Sequence, residues 1–254
     1  MKPFTLCSVV FLLGFSAFAE VRVWEDKSGH KYEAEFVREL FDKITLLDTK
    51  GKEHRLAVDD LSENDQKYIR VMVPPQLQVD CKASTGSFPV PWDLWHEDNA
   101  TMASITGEVT VQKISKRPFT SGLKAEVYLI AREVDGKNYI LLSKAESSFL
   151  LSEQKEYKHV FKSEPVVTRA YTEYNGIQRR GEEYLGHLVV VLDARGNTVD
   201  VKSDIGEWIM APDVVVALRD LAVRGAASIR SRHFDKTGHK VEVPRPKPYI
   251  PGSR

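Results

Sequence analysis

The chain has 254 residues, 36 Lys or Arg against 36 Asp or Glu, and 42% hydrophobic residues. Balanced overall charge and the absence of a nucleic-acid motif argue against nucleic acid as the partner, and two cysteines exclude a disulfide framework. The length is enough for two modest cores joined by a linker.

In chain order, residues 1–19 read as a secretory signal peptide. Lys2 supplies the positive start, Leu6 to Phe15 is largely apolar, and Ala17-Phe18-Ala19 is a small-x-small cleavage signal before Glu20. The apolar run is about ten residues, whereas a membrane span needs roughly 20. Cleavage would place the protein in the periplasm or outside the cell, with no transmembrane span left. Cys7 would leave with the leader, so Cys81 would have no partner within the chain.

Residues 20–73 read as short strands and one capped helix. Val21, Val23 and Trp24 begin a strand, and Asp26-Lys27-Ser28-Gly29 has turn composition. Tyr32, Ala34 and Phe36 alternate with Glu33 and Glu35, the pattern of a half-buried strand. Ile44 with Leu46 predicts a third strand, Asp48-Thr49-Lys50-Gly51 a second turn, and Leu56 with Val58 a fourth strand. Ser62 is placed to cap a single helical turn through Tyr68 and Ile69, with Asp65 at its third position.

Val73-Pro74-Pro75 ends that unit, and residues 74–106 read as a linker or irregular segment containing Trp92 and Trp95. Residues 107–230 change to longer alternating strands, including Val127 to Val134, Tyr139 to Leu142 and the apolar Leu185 to Leu192. Turns at Asp135-Gly136, Asn175-Gly176 and Arg195-Gly196-Asn197 complete the pattern of a β-sandwich. Pro212 and Asp213 open a helix whose Val214, Val215, Leu218, Leu221 and Ala222 share one face. Residues 231–254 form a basic, Pro-rich tail: from Leu218 to Arg254 there are nine Lys or Arg and three acids. Such a tail could touch anionic lipid, a polysaccharide of the cell envelope or nucleic acid, and plain solvation is the better reading because no nucleic-acid motif accompanies the charge. Asp26-Lys27-Ser28-Gly29-His30-Lys31 recurs as Asp235-Lys236-Thr237-Gly238-His239-Lys240, which two similar hairpin turns explain better than a duplicated domain.

The block Arg22-x-Trp24-x-Asp26-x-Ser28-Gly29, Tyr32 to Phe36, Gly51, Leu56, Val58 and Leu61-Ser62-x-x-Asp65-Gln66-x-Tyr68-Ile69 resembles the Sla-type first homology domain. That domain belongs to an adaptor of the yeast cortical-actin machinery. The resemblance implies a small SH3-like barrel that binds short peptides, with the family's Asn-Pro-Phe-x-Asp signal as ligand. Cytoskeletal-protein binding, ubiquitin binding and self-association are further family associations. The arrangement behind a leader is similar to secreted bacterial proteins of the planctomycete and verrucomicrobial group. Recognition of such a peptide needs an aromatic pocket and a cation. Trp24, Tyr32 and Phe36 are the candidates for the pocket, with Trp24 equally suited to the core, and Lys31 and Lys43 for the cation.

Catalytic patterns are missing from the sequence: there is no nucleophile elbow, phosphate loop or His-Glu-x-x-His helix. Of His96-Glu97-Asp98 on an extended strand only His96 and Asp98 could share a metal, and a polar loop is the better reading; Glu182 with Glu183 has no spacing that defines a glycosidase pair. The expectation is therefore a mainly β, non-enzymatic, adaptor-like protein without cofactor or metal. A carbohydrate- or envelope-binding sandwich using Trp92 and Trp95 is the alternative, and a hydrolase the third reading.

Overall fold

The computed structural model describes residues 21–40, 42–90, 97–115, 117–173, 178–224 and 232–242, and the chain divides into two units, residues 1–69 and 70–254. The fold is mainly β, as its alternating sequence implies. The expected leader (residues 1–19), Trp92, Trp95, His96, the expected Asn175-Gly176 turn and most of the basic tail lie outside the described residues.

The first unit is an antiparallel meander of β1 (Arg22–Glu25), β2 (Lys31–Leu40), β3 (Lys43–Asp48) and β4 (Glu53–Ala57), followed by α1 (Glu63–Met72). Its sheet is open, where the SH3-like resemblance implied a closed barrel. The outer edge of β1 is held instead by the segment before the helix. Asp26 bridges Leu61, Lys27 N–H donates to Asp60 O, and Ser62 N–H donates to Glu25 O. Trp24, Ala34, Ile44, Leu46, Leu61 and Ile69 fill the core. A β-bulge between Phe36 and Arg38 shifts the register against β3, and Val37 and Leu40 beyond Phe36 are exposed. The helix runs past the single turn expected at Ile69 to Met72, and stops before Pro74, whose ring disfavours helical backbone in the preceding residue.

The second unit contains β5 (Leu77–Phe88), β6 (Glu97–Lys113), β7 (Leu123–Glu133), β8 (Tyr139–Phe149), β9 (Lys158–Lys162), β10 (Val166–Glu173), β11 (Arg179–Asp193), β12 (Thr198–Ser203), α2 (Pro212–Arg224) and β13 (His233–Phe234). The hydrogen-bonded order is β13-β8-β7-β11-β10-β6-β5, with β12 on β11 and β9 on β6. One core lies between the β5–β6 side and the β7–β11 side, built from Val79, Val109, Val127, Leu129, Val189 and Val191. A second core joins the opposite face of β7 and β11, through Tyr128, Ile130, Leu188 and Val190, to Val214, Val215, Leu218 and Leu221 of α2. Burial on both faces is why Leu188 to Leu192 is apolar without alternation.

The expected linker over 74–106 is corrected by this arrangement, since β5 and the start of β6 fall within it. Leu77, Val79, Cys81 and Ala83 alternate toward the core, but their apolar signal fades through Ala83 and Gly86. The β11–β12 hairpin and α2 form where the sequence predicts them.

Among the described residues one turn is used four times. Asp26, Asp48, Asp193 and Asp235 each accept the N–H three residues on, while the Asp N–H reaches the carbonyl four residues on. Each carboxylate accepts N–H groups two and four residues later. The glycine at the fourth position takes φ between +79° and +87°, a conformation costly for side chains with a Cβ. The repeated Asp-Lys-Ser/Thr-Gly-His-Lys motif is thus a repeated turn.

Candidate peptide-binding surface

The first unit's aromatic residues divide into plug and surface. Trp24 is the plug: it is 1% exposed and its indole N–H donates to Ala34 O at 3.0 Å. Tyr68 meets it edge-on at 5.7 Å and Phe36 packs at 6.3 Å. The Arg22 guanidinium covers this group, 4.6 Å from the Trp24 ring centre and 3.8 Å from that of Tyr68. Its Nη2 also lies 2.5 Å from Asp65 Oδ1. The other oxygen of Asp65 accepts Glu25 N–H and the Ser62 hydroxyl, and Ser62 Oγ caps the helix by accepting Asp65 N–H. Trp24 is therefore core, which corrects its candidacy for the pocket; Phe36 belongs mainly to the same cluster.

Tyr32 is different. It is half-buried at the end of the sheet where the turns at Asp26 and Asp48 lie side by side, and its ring centre is 5.2 Å from that of His54 on β4. The Tyr32 hydroxyl donates to Asp26 Oδ2 at 3.1 Å, and His54 Nε2 lies 3.0 Å from Asp48 Oδ2. The hydrogen bond with His54, then the Lys52 N–H, holds the Asp48 carboxyl at about 2. Burial pushes the Asp26 carboxyl upward, but the His30 N–H, Tyr32 hydroxyl and Ser28 N–H together bring it below its ordinary value. For Tyr32, burial and then the bond to Asp26 raise the phenol. Both carboxylates are thus turned inward and occupied.

Exposed cations lie at this end of the sheet, with exposed Glu33 and Glu53 on the adjoining strands. Lys27, Lys31, Lys50 and Lys52 are exposed on these turns and the adjoining strand ends, and none makes an ion pair among the described residues. Lys31 leaves the strand on the face opposite Tyr32, so it sits at the rim. Lys43 pairs with Leu40 at the far end of β2, roughly 30 Å from Lys31 at about 3.3 Å per strand residue. The two predicted cations therefore cannot serve one acid. Only Lys31 shares an end with Tyr32, and His54, with no ligand or metal spacing to mark it, is the residue that sequence reasoning missed. It stands 22 positions after Tyr32 and is brought beside it by the intervening strand β3.

Other candidate chemistry is limited. Among the described residues no three His, Cys, Asp or Glu are grouped to hold a metal. Cys81 is half-buried, and burial followed by the charge of Asp204 pushes its thiol up to about 12, so it is a poor nucleophile. No described helix is long and apolar enough to cross a membrane.

No curated protein matches the chain. Two solved structures are similar at low identity. One is a crystal structure from Akkermansia muciniphila, 16% identical with a TM-score of 0.24, covering 54% of this chain and 76% of that one. The other is an X-ray structure of a structural-genomics target, 10% identical with a TM-score of 0.22, covering 50% of this chain and 84% of that one. Similarities of this size carry no argument about fold. Residues 15–76 do match a family model, that of SLA1 homology domain 1, SHD1, and so the first unit carries the domain that the Arg22 to Ile69 block resembles.

Proposed function

We propose that the first unit binds a peptide segment of a partner protein at the end of its sheet formed by the Asp26 and Asp48 turns, and that the chain is a non-enzymatic, adaptor-like binding protein. One observation carries this reading: on a unit matching a peptide-binding family, a half-buried Tyr32–His54 pair lies at the sheet end whose turns carry exposed Lys27, Lys50 and Lys52, while the turn carboxylates of Asp26 and Asp48 are already hydrogen-bonded. An aromatic side chain of the ligand would stack on the pair, and an acidic one would meet Lys50, Lys52 or Lys27. Surface charges of this kind attract through water and are screened by salt, so binding should weaken as ionic strength rises.

The leader supports an extracytoplasmic location, and there the family's links to cytosolic actin and ubiquitin have no counterpart. Probing the full chain against an array of Phe-containing peptides tests the reading. Acidic members should bind above their Lys-substituted counterparts; an array with no acidic preference would end it. The carbohydrate alternative rests on Trp92 and Trp95, and a Trp92→Ala, Trp95→Ala double variant assayed on insoluble polysaccharide tests it separately.

A further inference from the structure

A cavity of about 300 Å³ opens in the second unit against β5, β6, β10 and β11, four consecutive strands of its sheet. Thr85 and Thr101 stand at its exposed side, Thr168 is buried in its floor, and Glu182, Glu183 and Tyr184 form one wall. The size falls at the lower limit for small-molecule sites.

The wall is rich in acceptors and poor in donors. Thr101 Oγ1 already donates to Ala170 O at 3.4 Å and Thr168 Oγ1 to Ala103 O at 3.5 Å, which leaves their lone pairs for a guest. Glu183 is neutralised by Arg132 and Arg179. Glu182 is not: its one hydrogen bond is from Arg169 N–H at 3.2 Å, and it has no ion pair among the described residues. Burial raises its carboxyl pKa, offset only in part by the N–H and charge of Arg169. A half-buried carboxylate that has one N–H and the charge of Arg169 but no close ion pair among the described residues is costly unless something else pairs with it. Gly181 sets the position of Glu182. Its φ is +101°, and a Cβ there would sit 1.9 Å from Arg169 O, so glycine permits the close approach of β11 to β10. The hydroxyl of Tyr184 is buried without a hydrogen-bond partner among the described residues.

We propose that this cavity binds a small primary amine, its ammonium group held by Glu182 and the threonine oxygens beside the Tyr184 ring. An ammonium has three donors and no acceptor, the complement of this wall. No basic side chain lines the cavity to repel it.

Calorimetric titration of the full chain with matched probes tests this: n-butylamine against n-butanol, and glucosamine against glucose. At least one amine should bind about 10-fold or more tightly than its neutral partner, an advantage of the size given by one charge-assisted hydrogen bond. Glu182→Gln keeps an acceptor for Arg169 N–H, so it should fold like the parent and lose that preference. Amine binding should also strengthen as pH rises through the titration of Glu182 and then level off. Equal binding of amine and neutral partner, no saturable amine binding to the parent chain, or an amine preference that survives in Glu182→Gln would each overturn the proposal. The comparison on the parent chain holds even if the variant fails to fold.

Discussion

The two units use their sheets in opposite ways. In the first, one face of a small open sheet closes over a single large plug, Trp24, under one helix and one guanidinium. In the second, β7 and β11 are buried on both sides, by the facing strands and by α2. A unit with one thin core has strand ends and turns left over for a ligand, but little reserve of stability. A unit with two cores has reserve, enough to hold a buried polar group such as the Tyr184 hydroxyl without a hydrogen-bond partner among the described residues.

The strongest way to break this comparison is Trp24→Ala. Removing a fully buried Trp costs about 3–5 kcal/mol, comparable with the whole stability expected of so small a unit. Denaturant unfolding of the variant should lose an early transition belonging to the first unit while the later one is unchanged. A uniform shift of one transition would mean that the units do not unfold separately.

The corresponding probe of the second unit is Glu126→Gln. Glu126 is 3% exposed and accepts from Lys144, Arg219 and the Tyr128 hydroxyl, tying α2 to β7 and β8. Burial pushes its carboxyl up, but these three partners outweigh it and hold it at about 2. Leaving the cations without their carboxylate should cost about 3 kcal/mol, seen as a lower midpoint of the later transition. The folded value lies below the unfolded one, so this stabilisation is complete above the ordinary Glu range of about 4.3 and disappears as pH falls toward 2. The parent should therefore lose stability across that window and the variant much less; parallel acid curves would refute the assignment.

Asp65→Asn is expected to have a smaller effect, about 2 kcal/mol on the early transition, because the amide keeps an acceptor for Glu25 N–H but loses the charge facing Arg22. Smallest is Gly51→Ala, about 1 kcal/mol, since φ is +80° there but a Cβ would meet no atom within 4 Å. A Gly51→Ala loss larger than that of Asp65→Asn would show that the turn, and not the helix clamp, limits the first unit.

What could be read from sequence follows the same division. Turns at Asp26, Asp48 and Asp193, the Ser62 cap, the β11–β12 hairpin and the start of α2 were legible because their hydrogen bonds close within a few residues. β5 was not, since Ala83, Thr85 and Gly86 carry little apolar signal and the strand is held by β6 across a long connection. Trp24 was ambiguous because alternation tells which face a side chain takes, not whether Arg22 and Tyr68 cover it. The Tyr32–His54 pair and the cavity around Glu182 depend on strand order, bringing together residues that no local pattern associates.

The central claim is that a peptide is bound at the turn end of the first unit. Its most direct measurement is fluorescence polarisation of an acidic Phe-containing peptide, titrated with the full chain, with a Lys50→Glu, Lys52→Glu variant, and with Lys43→Glu. Both variants should keep the parent's unfolding transitions, because these lysines are exposed and unpaired among the described residues. The account predicts that the double variant loses affinity at least about 10-fold while Lys43→Glu binds like the parent. Unchanged binding by the double variant, or a loss confined to Lys43→Glu, would contradict it.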